Sequence, residues 1–129
     1  MTPRVKEPLV LVADDDEEHL DLACIALENA GYEVARAIDG EAALQFARER
    51  HPDLCVFDVV MPRLRGHEVL QALREDASTA GIPVVLITAT LSNRALWKLG
   101  PHPNVLMRKT SILDLEEEVR ALLEESAPA

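Results

Sequence analysis

The sequence contains few aromatic residues: one Trp, one Tyr and two Phe in 129 residues. A hydrophobic core must therefore be built mainly from Leu, Val, Ile and Ala, which suits helices that cover a parallel sheet. A long apolar run near the start is also missing, because Asp14, Asp15 and Asp16 interrupt the first one. This pattern excludes a signal sequence or a membrane span there, and we expect a cytoplasmic protein without membrane contact.

Positive charge is scarce as well. The chain has 13 Lys and Arg against 23 Asp and Glu, and its formal net charge is -10. Nucleic acids and anionic membranes are dense arrays of negative charge that repel such a chain. The composition therefore disfavours direct nucleic-acid binding and favours protein partners or small cations.

The chain has only two cysteines, Cys24 and Cys55. Both lie in apolar patterns, without a CxxC spacing or neighbouring histidines of a metal-binding type. We expect two reduced, buried thiols that carry no chemistry.

Short apolar runs alternate with segments of helical periodicity along the chain. The runs predict strands over 9–13, 32–38, 54–57, 84–88 and 105–108. Helices are predicted over 17–30, 40–50, 66–75 and 89–99, and a last one follows Ser111–Asp114, which resembles a capping box. The alternation is typical of the α/β class, with a doubly wound five-stranded parallel sheet and helices on both faces.

The length is that of one ordinary domain. We expect residues 9–124 to form it, residues 1–8 to be an N-terminal extension, and residues 125–129 to be a C-terminal tail or the start of a linker.

Polar residues follow several of the predicted strands. Asp14 and Asp15 follow the first strand, Asp58 the third and Lys109 the fifth, while Thr88 ends the fourth. In a sheet of this type the active crevice lies at the carboxyl ends of the strands. Carboxylates gathered there repel each other unless a cation lies between them, and Mg²⁺ binds such oxygen ligands.

These residue types suit one reaction. A nucleophilic carboxylate, a metal, the Lys109 cation and the Thr88 hydroxyl together meet the requirements for forming an aspartyl phosphate by in-line transfer. The duller alternative for each aspartate taken alone is a helix N-cap or a turn.

At these positions the sequence resembles the CheY-like receiver domains of response regulators, over nearly its whole length. Asp14–Asp15 resembles the metal-binding acidic pair of that family, and Lys109 falls at the position of its invariant lysine. Val56–Pro62 followed by Gly66 is similar to the stretch around the phosphoacceptor, and Ile87–Ala89 to that around the switch hydroxyl.

The resemblance implies a sheet with strand order 2-1-3-4-5 and a phosphoacceptor at Asp58. It also implies that Mg²⁺ is bound by Asp14, Asp15, Asp58 and the backbone carbonyl of Val60. The phosphoryl group would come from a sensor histidine kinase or a phosphotransfer protein. The domain would be a switch acting on a downstream protein target and not a turnover enzyme. Homodimer formation on phosphorylation is a further expectation.

Three features depart from that family: Thr110 replaces a usual proline, Leu106 replaces a frequent aromatic residue, and Gly100–Pro103 replaces a Gly/Ala-rich passage. Without the proline we expect a trans peptide bond between Lys109 and Thr110. The Thr110 substitution keeps open an alternative function, that of a pseudo-receiver that binds proteins without phosphorylation.

Two other protein classes of related fold, an electron carrier and a phosphatase, are weaker alternatives. A flavodoxin-like electron carrier needs a phosphate-binding loop after the first strand, where three aspartates would repel the flavin phosphate. A haloacid-dehalogenase-type phosphatase needs a second acid two residues after its aspartate, where this chain has Val60.

Overall fold

The structure of the chain is a computed structural model that describes residues 7–89 and 102–126, without the side chains of residues 109–111 and 126. The strands are β1 (Leu9–Ala13), β2 (Glu33–Ala37), β3 (Leu54–Asp58), β4 (Val84–Thr88) and β5 (Val105–Arg108). The α-helices are α1 (Glu17–Asn29), α2 (Gly40–Arg50), α3 (Gly66–Glu75) and α4 (Leu115–Ser126). Beyond its first residue, the helix predicted over 89–99 lies outside the described residues.

The five strands form one parallel sheet with the order β2-β1-β3-β4-β5. The predicted fold class and strand order are therefore confirmed. The order reverses between β1 and β3, so the carboxyl ends of these two strands lie side by side at the position where doubly wound sheets bind ligands.

Hydrophobic side chains cover both faces of the sheet, as alternation along each strand requires. On one face, Leu11 and Phe57 pack with side chains of α2 and α3. On the other face, Val10 and Val56 pack with side chains of α1 and α4. Leu11, Phe57 and Val10 are fully buried, and the central strands are consequently held from both sides.

The end of α1 follows the local sequence closely. Gly31 has a φ of 100°, the left-handed conformation that glycine adopts at low cost. Its N–H donates to the carbonyl of Glu28, and the N–H of Tyr32 donates to the carbonyl of Leu27. These two bonds form a Schellman motif, which ends the helix at the predicted glycine.

The last helix begins later than expected. Residues Lys109–Asp114 form a 3-10 helix, and the α-helix starts at Leu115. The interpretation of Ser111–Asp114 as a capping box of the α-helix is therefore wrong. Half-buried Ile112 in the 3-10 helix and fully buried Leu115 at the start of α4 pack in the same core cluster. A smaller difference is that β2 is one residue shorter at each end than predicted.

None of the helices among residues 7–89 and 102–126 is long and apolar enough to cross a membrane.

Cys24 and Cys55 are free, buried thiols, as predicted. Burial raises the pKa of the Cys24 thiol to about 11, and burial also raises the pKa of Cys55 far above its ordinary value. Relative to an ordinary thiol, a pKa of about 11 lowers the thiolate fraction near pH 8 roughly a few hundredfold.

At about pH 8 we therefore expect iodoacetamide to alkylate the cysteines of the native protein about a hundredfold more slowly than those of the protein unfolded in guanidinium. The rates can be followed by mass spectrometry of each cysteine-containing peptide. Comparable rates in the two states would contradict the burial of these thiols.

Candidate functional site

Three aspartates meet where β1 and β3 end. Ala13 of β1 pairs with Phe57 of β3, so that the next residues, Asp14 and Asp58, lie at the same level of the sheet. Asp15 follows directly. Each of the three offers one carboxylate oxygen, and these oxygens all lie within 4.8 Å of one another. The structure thus brings together the three acids that the sequence predicted as metal ligands.

Burial gives this cluster its electrostatic character. Asp14 and Asp58 are 3% and 4% exposed, whereas Asp15 is exposed. Ionised carboxylates at such separations repel one another, and burial removes the water that would screen them. A divalent cation offsets both effects. The donor set fits Mg²⁺, which takes oxygen ligands and commonly keeps water in the remaining positions.

Hydrogen bonds hold the two buried acids in place. The Oδ1 atom of Asp14 accepts the N–H of Asp16 at 3.0 Å, and its Oδ2 atom lies 2.6 Å from Nδ1 of His19. The Oδ1 atom of Asp58 accepts the N–H of Val60 at 3.3 Å. Both carboxylates are consequently oriented by nearby groups of the chain.

Thr88 ends β4, next to the strand that carries Asp58. Asp58 pairs with Ile87, the residue before Thr88, and the side chain of Thr88 is buried. The predicted hydroxyl donor therefore lies at the same edge of the sheet as the acids.

The other predicted site residues are described in part. Lys109 directly follows β5, as expected, but its side chain and that of Thr110 lie outside the described part of the chain. The trans bond between them stays a prediction. So does the role of the carbonyl of Val60, whose side chain is exposed.

Asp16, the last residue of the Asp14–Asp16 run, has a different role from Asp14 and Asp15. Asp16 is the N-cap of α1, and its side chain accepts the N–H groups of Glu18 and His19. The N-cap alternative thus describes Asp16, while Asp14 and Asp15 belong to the acid cluster. The two tasks are adjacent because the helix begins immediately after the site.

His19 is a residue that the sequence did not single out. Its ring lies against Asp14, five positions earlier in the chain. A spacing of five crosses from the strand end into the first helical turn and matches no regular periodicity. The available signal was a histidine in the first turn of a helix that directly follows an acidic cluster.

Comparisons with known proteins agree with this architecture. The profile of the family described as "Response regulator receiver domain" matches residues 10–99. The DNA-binding dual master transcriptional regulator RpaA of Synechocystis sp. is 44% identical over 82 residues, which are 64% of this chain and 34% of RpaA. The polar-differentiation response regulator DivK of Brucella ovis is 39% identical over 80 residues, 62% of this chain and 65% of DivK.

A similar fold occurs among solved structures. The receiver domain of a Francisella response regulator superposes with a TM-score of 0.83 at 30% identity, covering 94% of this chain and all of that domain. The chain therefore belongs to the response regulator receiver domain family. It aligns with less than two thirds of the length of RpaA and of DivK.

Proposed function

We propose that this receiver domain is a phosphorylation switch in which Asp58 accepts a phosphoryl group with Mg²⁺ bound beside it. The observation that carries the proposal is the convergence of oxygens from Asp14, Asp15 and Asp58 within 4.8 Å of each other. Two of these acids are buried. A buried acidic cluster of this kind needs a compensating cation, whereas an aspartate that only caps a helix or forms a turn does not.

The chemistry follows from the residues present. An oxygen of Asp58 attacks the phosphorus of the donor in line with the bond that breaks, and the leaving group departs with the electron pair of that bond. Mg²⁺, held by Asp14, Asp15, Asp58 and the carbonyl of Val60, would neutralise charge on the phosphoryl oxygens. Asp58 needs no proton removed, because the ionised carboxylate is already the nucleophile.

Two further side chains complete the proposed site. The hydroxyl of Thr88 donates a hydrogen bond to a phosphoryl oxygen of the phosphorylated site, and the ammonium group of Lys109 pairs with another phosphoryl oxygen. The position of Thr88 beside the strand of Asp58 supports its part. The position of Lys109 directly after β5, the strand next to β4, supports its pairing with a phosphoryl oxygen.

We infer the partners from membership of the family. A sensor histidine kinase or a phosphotransfer protein donates the phosphoryl group, and the phosphorylated surface changes its affinity for a downstream protein, or for a second copy of this chain. The domain catalyses only its own phosphorylation and dephosphorylation and is no turnover enzyme. The free thiols Cys24 and Cys55 fit a reducing cytoplasm.

A direct experiment is incubation of the protein with acetyl phosphate and Mg²⁺, followed by intact-mass measurement. We expect one added phosphoryl group per chain with Mg²⁺ and none with excess chelator. Absence of any modification in the presence of Mg²⁺ would instead favour the pseudo-receiver, which binds partners without phosphorylation.

Binding of Mg²⁺ should also stabilise the fold, because the acids converge only in the native state. At a tenfold excess over Kd, binding adds about 1.4 kcal/mol to the free energy of unfolding. For a domain of this size the melting temperature should then rise by about 5 °C. Differential scanning calorimetry with increasing Mg²⁺ measures this shift.

Asp15→Ala should remove the shift, since Asp15 is an exposed member of the cluster whose loss leaves the core intact. Asp21→Ala is the matched control: Asp21 is an exposed aspartate that pairs with Arg36, and its variant should retain the shift. A melting temperature of the unaltered protein that does not respond to millimolar Mg²⁺ would count against a metal site.

A further inference from the structure

The ring of His19 contacts the most buried acid of the cluster. Its Nδ1 atom lies 2.6 Å from Oδ2 of Asp14, and the side chains of His19 and Asp14 are 11% and 4% exposed. A carboxylate oxygen can only accept a hydrogen bond, so the ring donates from Nδ1–H. A hydrogen bond to a buried, charged acceptor is among the stronger ones in proteins.

The rest of the ring makes no competing polar contact. Its Nε2 atom is buried and has no hydrogen-bond partner among the described residues. Among the described residues, the His19 ring therefore makes its polar contact with Asp14 and does not bridge Asp14 to a second group.

The start of α1 fixes this geometry. The Oδ1 atom of Asp16 accepts the backbone N–H of His19 at 3.4 Å, and the same residue caps the helix. At the other oxygen of Asp14, the N–H of Asp16 donates at 3.0 Å. Asp14 is thus held at one oxygen by the N-cap residue of α1 and at the other by His19 in its first turn, which restricts rotation of the carboxylate.

We propose that His19 is a positioning residue that presents Asp14 to Mg²⁺. His19 and Asp16 restrict rotation of the Asp14 carboxylate, one oxygen of which lies within 4.8 Å of oxygens of Asp15 and Asp58. The inference rests on the proposed Mg²⁺ site. It adds a group that does not touch the ion and acts through one of its ligands.

The test is a calorimetric titration of Mg²⁺ into the unaltered protein and into His19→Leu and His19→Asn. The leucine variant removes the donor, and we expect it to bind Mg²⁺ about tenfold more weakly, as loss of a hydrogen bond to a ligand commonly does. The amide N–H of asparagine lies near the position of Nδ1–H, and His19→Asn should recover most of the affinity. Circular dichroism checks that both variants are folded.

Phosphorylation by acetyl phosphate provides a second readout. His19→Leu should need a higher Mg²⁺ concentration for half-maximal rate but reach the unaltered maximal rate at saturating Mg²⁺. A merely structural role would not separate these two quantities. A lower maximal rate at unchanged Mg²⁺ dependence would overturn the inference.

The outcomes also separate this inference from the proposed function. Unchanged or tighter binding by His19→Leu, or equally weak binding by His19→Asn, overturns the role of His19 while the Mg²⁺ site stands. Failure of the unaltered protein to bind Mg²⁺ overturns the metal site itself, and with it the role of His19.

Discussion

Asp58→Asn is expected to abolish phosphorylation by acetyl phosphate in the presence of Mg²⁺. The amide of asparagine has nearly the shape of the carboxylate but is no nucleophile under these conditions. Its oxygen can still accept the N–H of Val60, which Oδ1 of Asp58 accepts in the native protein. The loss should therefore be chemical, without unfolding, and intact-mass measurement after incubation with the donor tests it directly.

Stability gives an internal check on this variant. Removing one of three mutually repelling carboxylates should leave the melting temperature without Mg²⁺ unchanged or higher. Asp21→Asn, at an exposed ion pair on α1, is the control and should be phosphorylated like the unaltered protein. Undiminished modification of Asp58→Asn would refute the assignment of the phosphoacceptor.

Gly66→Ala is expected to destabilise the fold strongly, although it adds only one methyl group. A Cβ at Gly66 would overlap the carbonyl oxygen of Asp58 and would lie 3.1 Å from Cα of Val59. Both are backbone atoms, so α3 or the end of β3 must move. Overpacking of this kind costs about 3 kcal/mol. The gain in helix propensity is smaller, since it reaches only about 1 kcal/mol in a helix interior and Gly66 is the first residue of α3.

Urea denaturation of Gly66→Ala and Gly81→Ala measures this effect against a matched control. A Cβ at Gly81 meets no atom within 4 Å, and its variant should stay within about 0.5 kcal/mol of the unaltered protein. Equal stability of the two variants would contradict the close contact between Gly66 and the backbone of Asp58.

The strands and the first three helices were predictable because their signals are local. Leu9–Ala13 and Val84–Thr88 are fully buried, and buried parallel strands have uninterrupted apolar sequences. Gly31 ends α1 by a backbone conformation that few other residues adopt. The start of the last helix was missed, because apolar residues three apart fit both a 3-10 and an α-helical turn and the sequence pattern does not separate the two.

The acid cluster was predictable for a related reason. Asp14 and Asp58 each follow directly on an apolar strand core, and the parallel order of strands places such ends together. The chemistry proposed for them follows from their residue type together with the resemblance to receiver domains. The sequence could not assign Asp16, since N-cap and metal ligand use the same side chain and differ only in where the helix begins.

By itself, the sequence determined the fold class, the edge of the sheet that carries the site, and the three acids at that edge, because strand periodicity and strand ends are properties of neighbouring residues. Only the tertiary structure decided that His19 lies against Asp14 and that Gly66 lies against Asp58. Both contacts depend on the angle at which a helix leaves its strand. That angle is set by packing of the helix against the sheet, which involves residues far apart in the chain.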